Sequence, residues 1–334
     1  MIEKLIVSTL WLIAGGVLVR SWRDIRSTTL VTAWRWAVAA WLVWTVAWWL
    51  HCQPMVGTTT LPTLATYLGG LFALCPAMAV LGARRPTVRV WSYFVLTPLL
   101  LVFSAPLATA DWTGPNPSIV IPAPISVGLV IVLLMGAGNY IGTRQTFSAV
   151  AFATAVVLVF GRFSELGGGM LPQPVTAMPW ATSLTAFAVI WAARPASNRR
   201  PLPGIDRVWT DFREAFGIVW SRRIQDRINE RAAHEDWELR LVETGFIPAT
   251  DWEPQPNKPQ LRSIDVTGSI PRQASRDHTP PHDDPRIAHA LRWHLRRFVD
   301  DLWIDQRLGI DSQTAEPFAP AAHQPLEELT TGAP

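Results

Sequence analysis

Seven apolar runs precede Arg194, at 5–20, 29–50, 62–82, 90–110, 119–138, 146–161 and 175–194. No run of comparable length follows it. A bilayer crossing needs about 20 mostly apolar residues. Backbone polar groups in lipid must be satisfied within the segment, so each such run is constrained to be a helix. The expectation is an all-α integral membrane protein: a seven-helix transmembrane bundle over residues 1–194 with a small, mostly helical tail.

The last run, Met178–Arg200, is closed by Arg194, Pro195, Arg199 and Arg200 and separates two chemically different halves. Residues 1–193 hold ten Lys+Arg and four Asp+Glu, a net of +6, whereas residues 194–334 hold nineteen and twenty-two, a net of −3. Excess positive charge therefore sits in short loops, where it sets topology and does not mark a nucleic-acid surface. Loops 20–28, 82–89, 139–145 and 194–200 carry ten basic residues. The N-terminus and loops 51–61, 111–118 and 161–174 carry two. Basic loops stay cytoplasmic, which places the N-terminus outside, the C-terminus inside, and the chain in a cytoplasmic (inner) membrane as a multi-pass protein. The first run lacks a small-residue cleavage site and is followed by Arg20, Arg23 and Arg26, so it reads as an uncleaved span.

Within the spans, six tryptophans crowd the second: Trp34, Trp36, Trp41, Trp44, Trp48 and Trp49. Trp34, Trp41, Trp44 and Trp48 share one helical face. Such a stripe packs on neighbours, or walls a pocket for an apolar or cationic ligand. Gly69, Gly70, Ala73 and Ala77 in the third span permit close helix contact. Pro98 and Pro106 predict a kink in the fourth. Arg35 is the candidate intramembrane charge; it snorkels to the interface, or anchors an anionic lipid or a carboxylate. The two cysteines, Cys52 and Cys75, are placed too far apart in the predicted helices for a disulfide.

In the tail, residues 201–245 read as one long amphipathic helix (205–233) followed by a short strand. The proline-rich 246–283 reads as a flexible linker, 284–309 as a second amphipathic helix capped by Asp284 and ended by Gly309, and 310–334 as disordered. The apolar residues Trp209, Phe212, Phe216, Trp220, Phe298, Leu302 and Trp303 form the candidate partner-binding or packing face. Two helices make a small core, so they are expected to pack on each other and on a further surface, either the bundle or another subunit.

The chain lacks a P-loop, a nucleophile elbow, a zinc-protease helix and a dinucleotide fingerprint, so nothing points to catalysis or to a cofactor. The His278–Asp284 segment has metal-ligating types, but prolines and a flexible composition argue against a metal site. His51, Asp111, Trp112, Arg162 and Glu165 lie in the three outer loops and form a candidate outer-face pocket. The function expected is non-enzymatic: a membrane-anchored interaction or sensing component whose tail engages a protein partner or a second copy. The alternative is a carrier or binding protein for a small neutral or apolar solute, with a membrane-embedded lipid enzyme the least supported.

Overall fold

The computed structural model describes residues 1–53, 60–112, 119–166, 174–194, 204–249 and 285–308. The fold is mostly helical. Eight helical segments precede residue 194: α1 (Ile2–Ile25), α2 (Val31–Cys52), α3 (Thr60–Leu81), α4 (Val88–Trp91), α5 (Thr97–Ala108), α6 (Ala123–Gly138), α7 (Thr146–Phe160) and α8 (Pro174–Ala192). A π-helical turn, Ser92–Leu96, joins α4 to α5. Its cause is Pro98, which has no N–H and whose ring crowds the carbonyl four residues back; the helix widens by one residue and the Thr97 N–H reaches the Ser92 carbonyl instead. The predicted kink therefore takes the form of a π-turn.

Counting α4–π–α5 as one segment, the described residues before 194 form seven apolar helical segments. Two of them, α1 and α3, are long and apolar enough to cross a membrane by length and composition. The fourth to seventh segments are shorter apolar helices. In α2 length is not limiting, but its tryptophans and Arg35 dilute its hydropathy. Six helices close a ring, with α1 on α2, α2 on α3, α3 on α6, α6 on α7, α7 on α8, and α8 back on α1. The α4–α5 segment lies outside it, against α3 and α6. The ring's outer surface is apolar: Leu12, Val46, Leu134, Phe147 and Val157 are all exposed. The α3 small-residue stripe divides by role. Gly69 and Gly70 lie against Trp44 and against Val159 and Phe160, while Ala73 and Ala77 face the ring's interior. Cys52 and Cys75 are free thiols.

Beyond the ring, the long helix expected at 205–233 is two helices, α9 (Gly204–Phe216) and α10 (Ile218–His234). Gly217 breaks it, with φ +79°, in the left-handed region that side chains avoid. The bundle holds the break open. Asn139, at the end of α6, accepts the Ile218 N–H on its carbonyl (2.8 Å), donates its Nδ2 to the Phe216 carbonyl (3.0 Å) and accepts the Val219 N–H on Oδ1 (3.0 Å). An asparagine from another element thus caps α10, satisfying two of the donors that every helix start leaves open. A Cβ at residue 217 would lie 2.3 Å from Asn139 Nδ2. The break also turns α10, so Val219 faces solvent while Trp220, Ile224 and Ile228 are buried.

The helix expected at 284–309 is likewise interrupted, into α11 (Pro285–Leu295) and α12 (Asp301–Leu308). The turn between them docks on the bundle by backbone bonds. Thr29 N–H donates to the Phe298 carbonyl (2.7 Å), Asp300 N–H to the Ser27 carbonyl (2.9 Å), and Arg85 N–H to the Arg297 carbonyl (2.8 Å). The predicted strand exists, Leu239–Val242 (β1), and pairs antiparallel with Gly245–Pro248 (β2), a partner the pattern did not reveal. Asn229 clamps β1 like a further strand, accepting the Leu241 N–H (2.8 Å) and donating to its carbonyl (2.9 Å). Proposed linker 246–283, its metal-ligating segment, Asp284, Gly309 and the 310–334 tail lie, apart from residues 246–249, outside the described residues.

Candidate functional site

A cavity of about 480 Å³ lies inside the ring at the end nearest the tail, within the range of small-molecule sites. All six ring helices line it, and Glu214 and Ala215 of α9 also contribute to its wall. One side is aromatic, with Trp11, Trp34, Trp41 and Trp44; much of the rest is alanine and glycine, including Ala37, Ala73, Ala77, Gly136, Ala149 and Ala188. The void follows from that pairing, because large rings hold the helices apart while side chains ending at Cβ leave the intervening space open.

The aromatic wall is rigid. Trp11 stacks on Trp41 and Trp44 at 6.2 and 6.0 Å between centroids. Their indole N–H groups are bonded within the protein: Trp11 to Thr45 Oγ1 (2.8 Å), Trp44 to Thr182 Oγ1 (3.0 Å), Trp41 to the Trp11 carbonyl (3.4 Å) and Trp34 to the Leu18 carbonyl (2.9 Å). This accounts for Trp41 and Trp44 at mid-helix, where an interfacial role gives no reason for them. What remains to face the cavity is the apolar ring surface.

The end near α9 is polar. Tyr140 Oη donates to the Ala215 carbonyl (3.2 Å), and burial pushes its phenol well above the ordinary range, so it stays a donor. Glu214 Oε2 accepts the Arg144 N–H (2.7 Å). Gln145 donates Nε2 to the Ala192 carbonyl (3.3 Å), which orients the amide and leaves Oε1 buried with no partner among the described residues. Ser148 Oγ, on a residue 7% exposed, is also without one. Buried polar atoms are almost always satisfied, so two orphans in one cavity wall call for a cause. A bound molecule with an apolar body and a hydrogen-bonding end supplies one.

The five outer-loop residues lie outside the cavity wall and each has its own surroundings. His51 stacks on Trp48 at 5.6 Å, the Trp112 indole donates to the Leu107 carbonyl (3.1 Å), and Asp111 is exposed. Arg162 lies 4.4 Å over the Phe163 ring, and burial brings its guanidinium down to about 10, still a cation at neutral pH. Glu165 Oε2 accepts the Ala123 N–H (3.0 Å) and so caps α6. None lines the cavity, and residues 54–59, 113–118 and 167–173 of the same loops lie outside the described residues. Arg35 is exposed and makes no ion pair among the described residues.

Of the tail face, Trp209, Phe212 and Phe216 are fully buried, and Trp220, Phe298 and Trp303 nearly so; Leu302 is 49% exposed. Phe298 meets Phe212, Phe216 and Trp220 edge-on at 5.3, 5.4 and 5.0 Å. Trp220 Nε1 donates to the Val80 carbonyl at the end of α3 (3.1 Å). Asp211 on α9 pairs with Arg307 on α12 at 2.8 Å. Sequence reasoning passed over Asn139, Tyr140, Gln145, Ser148, Glu214 and Gly217. Only Gly217 left a signal, a glycine in mid-helix. Among the described residues no cluster of three or more His, Cys, Asp or Glu is placed to hold a metal.

No protein-family model matches the chain, and neither a curated protein nor a solved structure matches it.

Proposed function

We propose that this chain is a seven-span inner-membrane protein that binds a small, mainly apolar molecule within its helical ring and carries its tail docked on the cytoplasmic end as the floor of that site. Its lipid-facing surface is the exposed apolar rim of the bundle. Contacts of the basic loops 20–28, 82–89 and 139–145 with the tail support placing both on the cytoplasmic side. The observation that carries the reading is the aromatic-walled cavity with two orphaned polar atoms, Gln145 Oε1 and Ser148 Oγ. Because Glu214 and Ala215 belong to α9, a ligand there touches bundle and tail at once, and its presence is felt at the Asn139–Gly217 joint. This is a sensing or carrier role; no reacting group is asked of the site.

The test is extraction of the detergent-purified protein and identification of co-purifying small molecules by mass spectrometry. A stoichiometric apolar compound in the parent protein, lost in Ala149→Phe, is expected. Equal recovery from the filled variant would refute the site. A second reading, a protein partner or second copy docked on the tail, is supported by the half-exposed Trp293 (47%) and Leu302 (49%).

A further inference from the structure

A separate cleft of about 630 Å³ opens where the loop after α3 meets the end of α11, lined by Arg84, Arg85, Pro86, Thr87, Trp293, Arg296 and Arg297. Its two arginine-bearing edges are fixed to each other by the bond from Arg85 N–H to the Arg297 carbonyl, 2.8 Å. Two of the four arginines are neutralised: Arg85 pairs with Asp300 (2.5 Å) and Arg296 with Asp301 (3.3 Å). Arg84 and Arg297 have no carboxylate within ion-pair reach among the described residues, nor do Arg223 and Arg227 on α10.

These four lie together. Arg223 sits 5.0 Å over the Trp220 ring, and Trp220 is bonded to Val80, just before the Arg84 loop. Arg223 and Arg227 are one helical turn apart, a like-charge spacing that costs stability. Arg84 is held below the ordinary arginine value by burial and then by Arg297, Arg227 and Arg223, so it feels the charge of all three. Three chain segments thus converge four guanidinium groups that are unmatched among the described residues, and their planar forks suit phosphate oxygens. We propose that this cleft binds a phosphate-bearing anion, gripped by Arg84 and Arg297 within the field of Arg223 and Arg227. Trp293 offers a flat wall beside it. The phosphate belongs either to a soluble molecule or to the headgroup of an anionic lipid, since the cleft lies where the chain leaves the bundle. The site does not depend on the central cavity.

The test uses the full chain in nanodiscs and the unfolding midpoint followed by tryptophan fluorescence. In phosphatidylcholine discs, inorganic pyrophosphate is titrated against sodium chloride of matched ionic strength; in the second arm, phosphatidic acid replaces part of the phosphatidylcholine. A rise of about 4 °C or more is expected in at least one arm. A rise with pyrophosphate assigns a soluble ligand, and a rise confined to phosphatidic acid assigns a lipid. Arg84→Gln combined with Arg297→Gln should abolish the rise and, at low salt, leave the midpoint unchanged or higher, because repulsion is relieved. Arg222→Gln, on an exposed side chain of the same helix, should keep it. Should the double variant fold poorly, Arg84→Gln alone must at least halve the rise. No rise in either arm, or an undiminished rise in the variants, would overturn the proposal.

Discussion

In the bundle, Trp11, Trp41 and Trp44 stack with largely parallel rings and are faced across the interior by alanines; in the tail, Phe298 drives its edge into Phe212, Phe216 and Trp220. Both groups are aromatic, and the difference lies in what opposes them. Rings facing residues that stop at Cβ leave room for a ligand, whereas rings facing rings fill it. The tail cluster is a rivet between α9, α10 and the 296–300 turn, and that turn is the one hydrogen-bonded to the bundle at Ser27, Thr29 and Arg85. Removing bulk should therefore be costly in the tail, and adding bulk should be cheap in the bundle.

The largest effect is expected from Phe298→Ala, which opens the centre of the tail cluster at a cost of about 3–5 kcal/mol. Limited proteolysis should then release the tail from an otherwise folded bundle; a tail that stays protected would break the contrast. Next comes the joint. Gly217→Ala sets a Cβ against Asn139 in a backbone conformation that alanine resists, for about 2 kcal/mol or more. Asn139→Ala removes two side-chain bonds, leaving the Phe216 carbonyl and Val219 N–H without partners, also about 2 kcal/mol. Chemical denaturation would measure both, and losses under about 0.5 kcal/mol would mean the joint is a passive contact. Ala149→Phe, filling the bundle cavity, should cost less than about 1.5 kcal/mol. A loss as large as that of Phe298→Ala would mean the space is already filled by protein.

The smallest effect is a pH dependence. Burial, then Arg227, Arg231 and Arg297, hold His294 below its ordinary value near 6.5. The folded state therefore binds its proton less readily than the unfolded chain does. Its stabilising contribution is complete above about pH 6.5 and is lost as pH falls through the folded value. Melting midpoints should drop between neutral pH and pH 5, and His294→Gln should flatten that part of the curve; an unchanged slope would assign the drop elsewhere.

The apolar runs, the alternation of basic loops and the amphipathic pattern of the tail were legible because each is a local periodicity. Trp34, Trp41 and Trp44 could be placed on one face by spacing, and a pocket there could be named as one reading of the stripe. What opposes them could not, since Ala149 and Ala188 belong to helices far away in sequence. Both tail helices look continuous in sequence because their apolar steps carry on through Gly217 and through the 296–300 turn. The breaks are imposed from outside, by the Asn139 side chain and by carbonyls and N–H groups of loops more than a hundred residues earlier, which leave no mark on the periodicity. The cap that Glu165 places on α6 depends on the pairing of Ile121 with Ser164, again a long-range fact.

The most direct measurement is photolabelling of the nanodisc-embedded protein with a diazirine-bearing alkanol, with the labelled peptides mapped by mass spectrometry. If the ring encloses a ligand site floored by the tail, labelling should concentrate on Trp41, Gln145, Ser148, Ala149, Phe152 and Glu214–Ala215, saturate, and be displaced by excess octanol. Labelling confined to exposed outer positions such as Leu134, Phe147 and Val157, and undiminished by the competitor, would contradict it.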